Sequence, residues 1–143
     1  MRKFYGFVAF LLLVVPALLA QEHYTEGPVW RVQLIRVKPN QMDAYLTTLR
    51  QSSKPFIEEE KRQGIIMDYK VFLKETKSNP QDWDIAVAIQ YKNHAAMDGE
   101  AAKAEAVRDK VLGGKQPALQ LAEKRGEIRE IISSELLQEI VLK

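Results

Sequence analysis

The stretch "WDIAVAIQYKNHAAMDG", Trp83 to Gly99, holds one of only two histidines in the chain. An imidazole titrates near neutrality, so His94 could shuttle protons or act as an axial haem ligand. The residue before it argues for less. Asn93 suits a helix cap, which puts His94 in a first helical turn, where the dipole disfavours a cation. A zinc or non-haem iron site would need further His, Cys or acidic ligands at suitable spacing, and none flanks it. His94 is expected to be a corner residue without a catalytic role.

The aromatic residues carry the other chemical option. Trp30, Tyr45, Tyr69, Trp83 and Tyr91 could line a pocket for an organic ligand, with His94 kept beside them as a candidate. The same spacing also suits a hydrophobic core. Arg36 and Asp68 are charges at strand positions and read as salt-bridge or exposed-face residues. Glu58, Glu59 and Glu60 in "FIEEEKRQG" read as a solvated helix face. There is no Ser-His-Asp signature, phosphate loop or dinucleotide fingerprint, and no cofactor or metal is expected.

The elements that must position these residues begin after an apparent leader. In residues 1–20, "MRKFYGFVAFLLLVVPALLA", Arg2 and Lys3 precede an apolar run that Pro16 ends. This is the pattern of a signal peptide cleaved after Ala20; the run is short for a spanning helix. The expected location is exported, periplasmic or extracellular, with no membrane association after cleavage. The chain lacks cysteine, so packing and not disulfides must stabilise it. Arg2 and Lys3 account for the whole excess of 21 basic over 19 acidic residues. A neutral mature chain with interleaved charges argues against a nucleic-acid partner.

Residues 21–28 read as a flexible lead-in ending in Gly-Pro, and 29–143 as one domain. "VWRVQLIRV" alternates as a strand that is apolar on both faces. A helix follows, capped by Asn40 and striped by Met42, Tyr45, Leu46, Leu49, Ser53, Phe56 and Ile57, with a kink expected at Pro55. "GIIMDYKVFLKET" and "WDIAVAIQYK" form a hairpin around a turn cluster. In the second of these strands, Ala86 and Ala88 offer a face of small side chains on which a helix could pack. Asn93 caps the next helical region, with Met97, Ala101, Ala104, Val107 and Val111 inside. Gly113-Gly114 interrupts it before a further helix opened by Pro117, with Leu121, Ile128 and Ile132 in phase. Ser133-Ser134 should break that helix, leaving "ELLQEIVL" as the last strand.

This order is βαββαβ, the ferredoxin-like arrangement: an α+β fold with helices on one face of a four-stranded antiparallel sheet. A second apolar sheet face would bury against another copy, most simply in a C2 homodimer. The residues proposed for it are Ile65, Met67, Tyr69 and Val71 beside Trp83, Ile85, Val87 and Ile89.

"VQLIRVKPNQMDAYLTTLRQSSKPFIEEEKRQGIIMDYKVF" resembles the dimeric α/β-barrel superfamily, related to antibiotic-biosynthesis monooxygenases. The shared cues are a strand ending in "VKP", a long helix with "KPF", and a glycine before the next strand. The resemblance implies fold and dimerisation over residues 29–142, but does not select an activity. Haem-degrading relatives pair a Trp and a His on one helix, which Trp83 and His94 do not reproduce. The expected function is binding of a small apolar or aromatic molecule in a cavity between helices and sheet. One alternative is a cofactor-independent monooxygenase-like enzyme for an aromatic or quinone-like substrate. The other is a structural or partner-binding dimer with a filled cavity.

Overall fold

The computed structural model describes residues 23–143, so the expected leader lies outside the described residues. Strand β1 (Tyr24–Val37) is the long central strand. It pairs antiparallel with β3 (Ile85–Tyr91) on one side and β4 (Arg129–Leu142) on the other. Strand β2 (Asp68–Leu73) pairs antiparallel with β3, giving the order β2-β3-β1-β4. Between β1 and β2 run α1 (Met42–Thr48), a π-helical stretch at Leu49–Ser53, and α2 (Lys54–Arg62). Between β3 and β4 lie a 3-10 turn (His94–Met97), α3 (Glu100–Leu112) and α4 (Lys115–Ile128).

The helices pack on the face that carries Ile35, Val37, Ile85, Val87 and Tyr91, reaching Tyr45, Ile57 and Val107. This inverts one expectation. Small side chains do not mark the helix side; Ala86 and Ala88 fall on the opposite face, opposite Leu34, Val32, Phe72 and Lys70 of the neighbouring strands. Likewise, Tyr69, Val71, Ile85, Val87 and Ile89 turn toward the helices and not toward a partner. The open face instead carries Trp30, Val32, Leu34, Phe72 and Leu137. Both faces are apolar, so alternation could not say which one the helices take.

Boundaries also move. Strand β1 begins at Tyr24, so most of the expected lead-in is sheet, paired with the end of β4. Gly27 and Pro28 sit at a register shift, where a proline can withhold its donor and where an added Cβ on Gly27 would meet Glu139 at 3.3 Å. Strand β4 starts at Arg129, and Ser133 and Ser134 pair within it opposite Leu34 and Gln33 instead of breaking a helix. Ile132 belongs to that strand.

Asn40 does not cap α1. It occupies the left-handed region at φ 63°, which asparagine tolerates, and Gln41 precedes the helix without a side-chain cap. Ahead of Pro55 the backbone widens into the π stretch, and the helical path continues instead of breaking. Ile65 and Ile66, expected on opposite strand faces, are both buried in the turn before β2, where alternation does not apply. Asn93 does cap, its Oδ1 accepting from the Ala96 N–H, but it caps the 3-10 turn. Helix α3 starts separately after Gly99.

Candidate functional site

Between sheet and helices lies a cavity of about 280 Å³. Its apolar surface comes from Ile35, Leu49, Phe56, Ile57, Val87 and Ile89. Its polar groups fall into two sets that mark two ends of its lining, one at the middle of β1 and one at the C-terminal end of that strand. Arg31 lies six residues before Val37, whose partner on β4 is Arg129; that is roughly 20 Å of strand.

At the first end, Arg31 donates to both oxygens of Glu100, Nη1 to Oε1 at 2.8 Å and Nη2 to Oε2 at 2.6 Å. The Tyr91 hydroxyl donates to Glu100 Oε1 as well, and the Arg31 guanidinium lies 5.1 Å from the Tyr91 ring centre. Burial alone would push Glu100 up, but the hydrogen bonds from Arg31 and Tyr91 hold its carboxyl below the usual range. Burial and the bond to Glu100 push the Tyr91 hydroxyl well above the phenol range, with Arg31 opposing. Tyr91 therefore stays a neutral donor.

Glu60 lines the same cavity and is only 6% exposed. Its carboxyl makes no hydrogen bond or ion pair among the described residues. Burial, with the nearby negative charge of Glu100, raises it to about 7 against the weaker pull of Arg31. A carboxyl poised near neutrality can donate or accept a proton. Reading Glu58 to Glu60 as one solvated face is thus corrected for Glu60, which follows Phe56 and Ile57 at helical spacing.

At the second end stand Tyr45, Ser53, Arg125 and Arg129. Arg125 Nη1 donates to Ser53 Oγ at 3.3 Å, and the Arg129 guanidinium sits 5.5 Å from the Tyr45 ring centre. Burial raises the Tyr45 hydroxyl against the pull of both arginines.

Of the six candidates from sequence, the structure brings Tyr45 and Tyr91 to this cavity. Tyr69 lines an adjacent cleft with Leu46 and Val71, and donates to Glu58 at 2.8 Å. Trp30 lies on the open sheet face, donating to Glu139 at 2.8 Å with Lys70 5.3 Å from its ring. Trp83 precedes β3, with Lys74 4.7 Å from its ring. His94 is exposed at the 3-10 turn and does not line the cavity. Arg36 and Asp68 form surface ion pairs with Glu130 and Lys61. Among the described residues no cluster of three or more His, Cys, Asp or Glu could hold a metal.

We expect His94→Gln to shift stability by less than about 0.5 kcal/mol, as for surface substitutions elsewhere. Urea unfolding checks this, and a larger loss would give His94 a structural part that its exposure does not suggest.

No family model matches the chain, and no curated protein matches it in sequence. Solved structures do. HapK from Hahella chejuensis superposes at a TM-score of 0.52 with 12% identity, over 78% of this chain and 91% of that one. A nipsnap family protein with unknown function from Agrobacterium tumefaciens gives 0.52 and 12%, over 85% and 92%. A dimeric ferredoxin-like protein from an uncultured marine organism gives 0.53 and 12%, over 82% and 90%. This chain has the ferredoxin-like fold. At such identities the likeness extends to architecture, and the chemistry must be argued from the cavity.

Proposed function

We propose that this protein is an exported homodimer that binds a small organic molecule in the cavity between helices and sheet. The observation that carries the reading is the cavity itself, where an apolar wall meets a convergent set of charged and polar side chains. Its volume is close to twice the roughly 150 Å³ that holds a benzene, which suits a molecule of one or two rings. An open chamber weighs against a structural dimer whose interior is filled by its own side chains. Native mass spectrometry of protein purified from its own compartment tests the reading. Retention of a small molecule is expected; an empty protein that also binds nothing in an apolar-ligand screen would remove it.

The dimer would form through the open sheet face, where Phe72 and Leu137 are about half exposed beside Trp30, Val32 and Leu34. The neighbour described as a dimeric ferredoxin-like protein supports dimerisation, and the choice of face rests on the exposed apolar side chains. Light scattering at micromolar concentration should give twice the chain mass, and a stable monomer would refute it. Export rests on the leader pattern in residues 1–20. N-terminal sequencing of exported material should begin at Gln21, whereas intact Met1 in the membrane fraction would indicate an anchor.

Glu60 favours a second reading, an acid–base enzyme of the cofactor-independent monooxygenase type acting on an aromatic or quinone-like substrate. A carboxyl raised to about 7 beside a bound ring could remove an acidic proton from it. Once a turnover assay exists, Glu60→Gln should abolish most activity while leaving binding in place. Unchanged turnover would exclude Glu60 as the base.

A further inference from the structure

The cavity holds three arginines, and the chain treats them differently. Arg31 is neutralised by the bidentate contact with Glu100. Arg125 and Arg129, four residues apart across the α4–β4 junction, form no ion pair among the described residues. Arg125 Nε, Arg129 Nε and Arg129 Nη1 are buried and meet no acceptor there. The neighbouring acid Glu130 pairs with Arg36 at 2.6 Å, and Glu127 is exposed. Buried donors without acceptors and two adjacent unneutralised cations are both costly. Burial and the charge of Arg129 lower Arg125 from its ordinary value, a sign of that crowding.

We propose that Arg125 and Arg129 form a cradle for the carboxylate of the cavity's ligand, which is therefore a small organic acid with an apolar body. The inference rests on the reading that the cavity binds a small molecule, and adds its chemical class. A planar guanidinium presents parallel N–H donors that match a carboxylate, and two of them supply the charge that one carboxylate only partly neutralises. The apolar body lies along Ile35, Leu49, Val87 and Ile89. Ser53, already an acceptor for Arg125, helps to hold that guanidinium in place.

The test compares an acid with its neutral amide: 4-phenylbutyrate against 4-phenylbutyramide, and 2-naphthoate against 2-naphthamide, by titration calorimetry at low salt. Wild type should bind the acids at least tenfold more tightly. Arg125→Met and Arg129→Met should each weaken acid binding at least fivefold and leave the amides within twofold. If a Met variant fails to fold, Arg125→Lys and Arg129→Lys keep the charge, lose the fork, and should cost at least threefold. Equal affinity of acid and amide in wild type overturns the cradle but leaves the ligand cavity standing. Binding of neither compound in both pairs overturns the two readings together. An acid preference that survives both substitutions, or variants that lose dimerisation instead of acid affinity, also overturns it, since the arginines would then serve another contact.

Discussion

Glu100→Gln should lower stability by about 2 kcal/mol at pH 7. The carboxylate accepts three hydrogen bonds, two from Arg31 and one from Tyr91. An amide keeps the shape but replaces one acceptor with a donor and leaves the Arg31 charge without its partner. Removing one member of a fully buried pair costs about 3–5 kcal/mol. Here Arg31 is 32% exposed at its side chain and Glu100 16%, so water recovers part of that, and a hydrogen bond to a charged group is worth about 1.5–3. The pH dependence has a definite sign. Glu100 is held below its unfolded value, so its contribution is complete above that value and fades as pH falls through the folded one. Urea unfolding should show the gap between wild type and variant at pH 7 narrowing below about pH 4. A constant gap would mean that the network is not ionic.

The apolar phase of β1, of the α1–α2 run and of the hairpin strands was legible; that of β4 was not, since Ile132 continues the spacing of α4 yet lies in the strand, and neither were the polar residues that share a buried phase. Met42, Tyr45, Leu49, Ser53, Phe56 and Ile57 mark the inner side of α1 and α2; continuing that spacing reaches Glu60, which is buried. Arg125 likewise falls between Leu121 and Ile128 in α4. On β1, Arg31 and Gln33 interrupt the face carrying Val29, Ile35 and Val37, and those two interruptions line the cavity. A pattern read only from apolar residues treats such positions as solvent-facing, whereas a site needs polar groups on a buried face. His94 drew attention by residue type and lies outside the cavity. The strand order followed from the βαββαβ succession, but the covered face did not, because Trp30, Val32 and Leu34 are as apolar as the helix-side set.

Glu60 gives the second large effect, and its sign is opposite to that of Glu100. Its carboxyl is raised from 4.5 to about 7 by burial first and Glu100 second. Between those two values the folded protein keeps a proton that the unfolded chain has released. Stability from this group therefore falls as pH rises from about 4.5 through 7, and the full penalty applies above that. Unscreened, a shift of this size corresponds to about 3 kcal/mol; water at the cavity mouth reduces it to about 1–2. Glu60→Gln keeps the side-chain shape and cannot ionise, so the variant should be about 1–2 kcal/mol more stable than wild type at pH 8. At pH 4.5 and below the two should nearly coincide. Urea unfolding at pH 4.5, 6 and 8 checks this, and parallel profiles would show that Glu60 titrates as an ordinary carboxylate. The two substitutions are coupled through the charges they remove. With Glu100→Gln, Glu60 loses the negative neighbour that raises it and gains an unpaired Arg31, so its pKa should drop. In that background the added Glu60→Gln change should give a smaller gain at pH 8 than it does alone. A stability that tracks a carboxyl poised near neutrality is the physical trace of a group kept in the cavity at a cost in folding, the pattern expected where a proton is to be exchanged with a bound ligand.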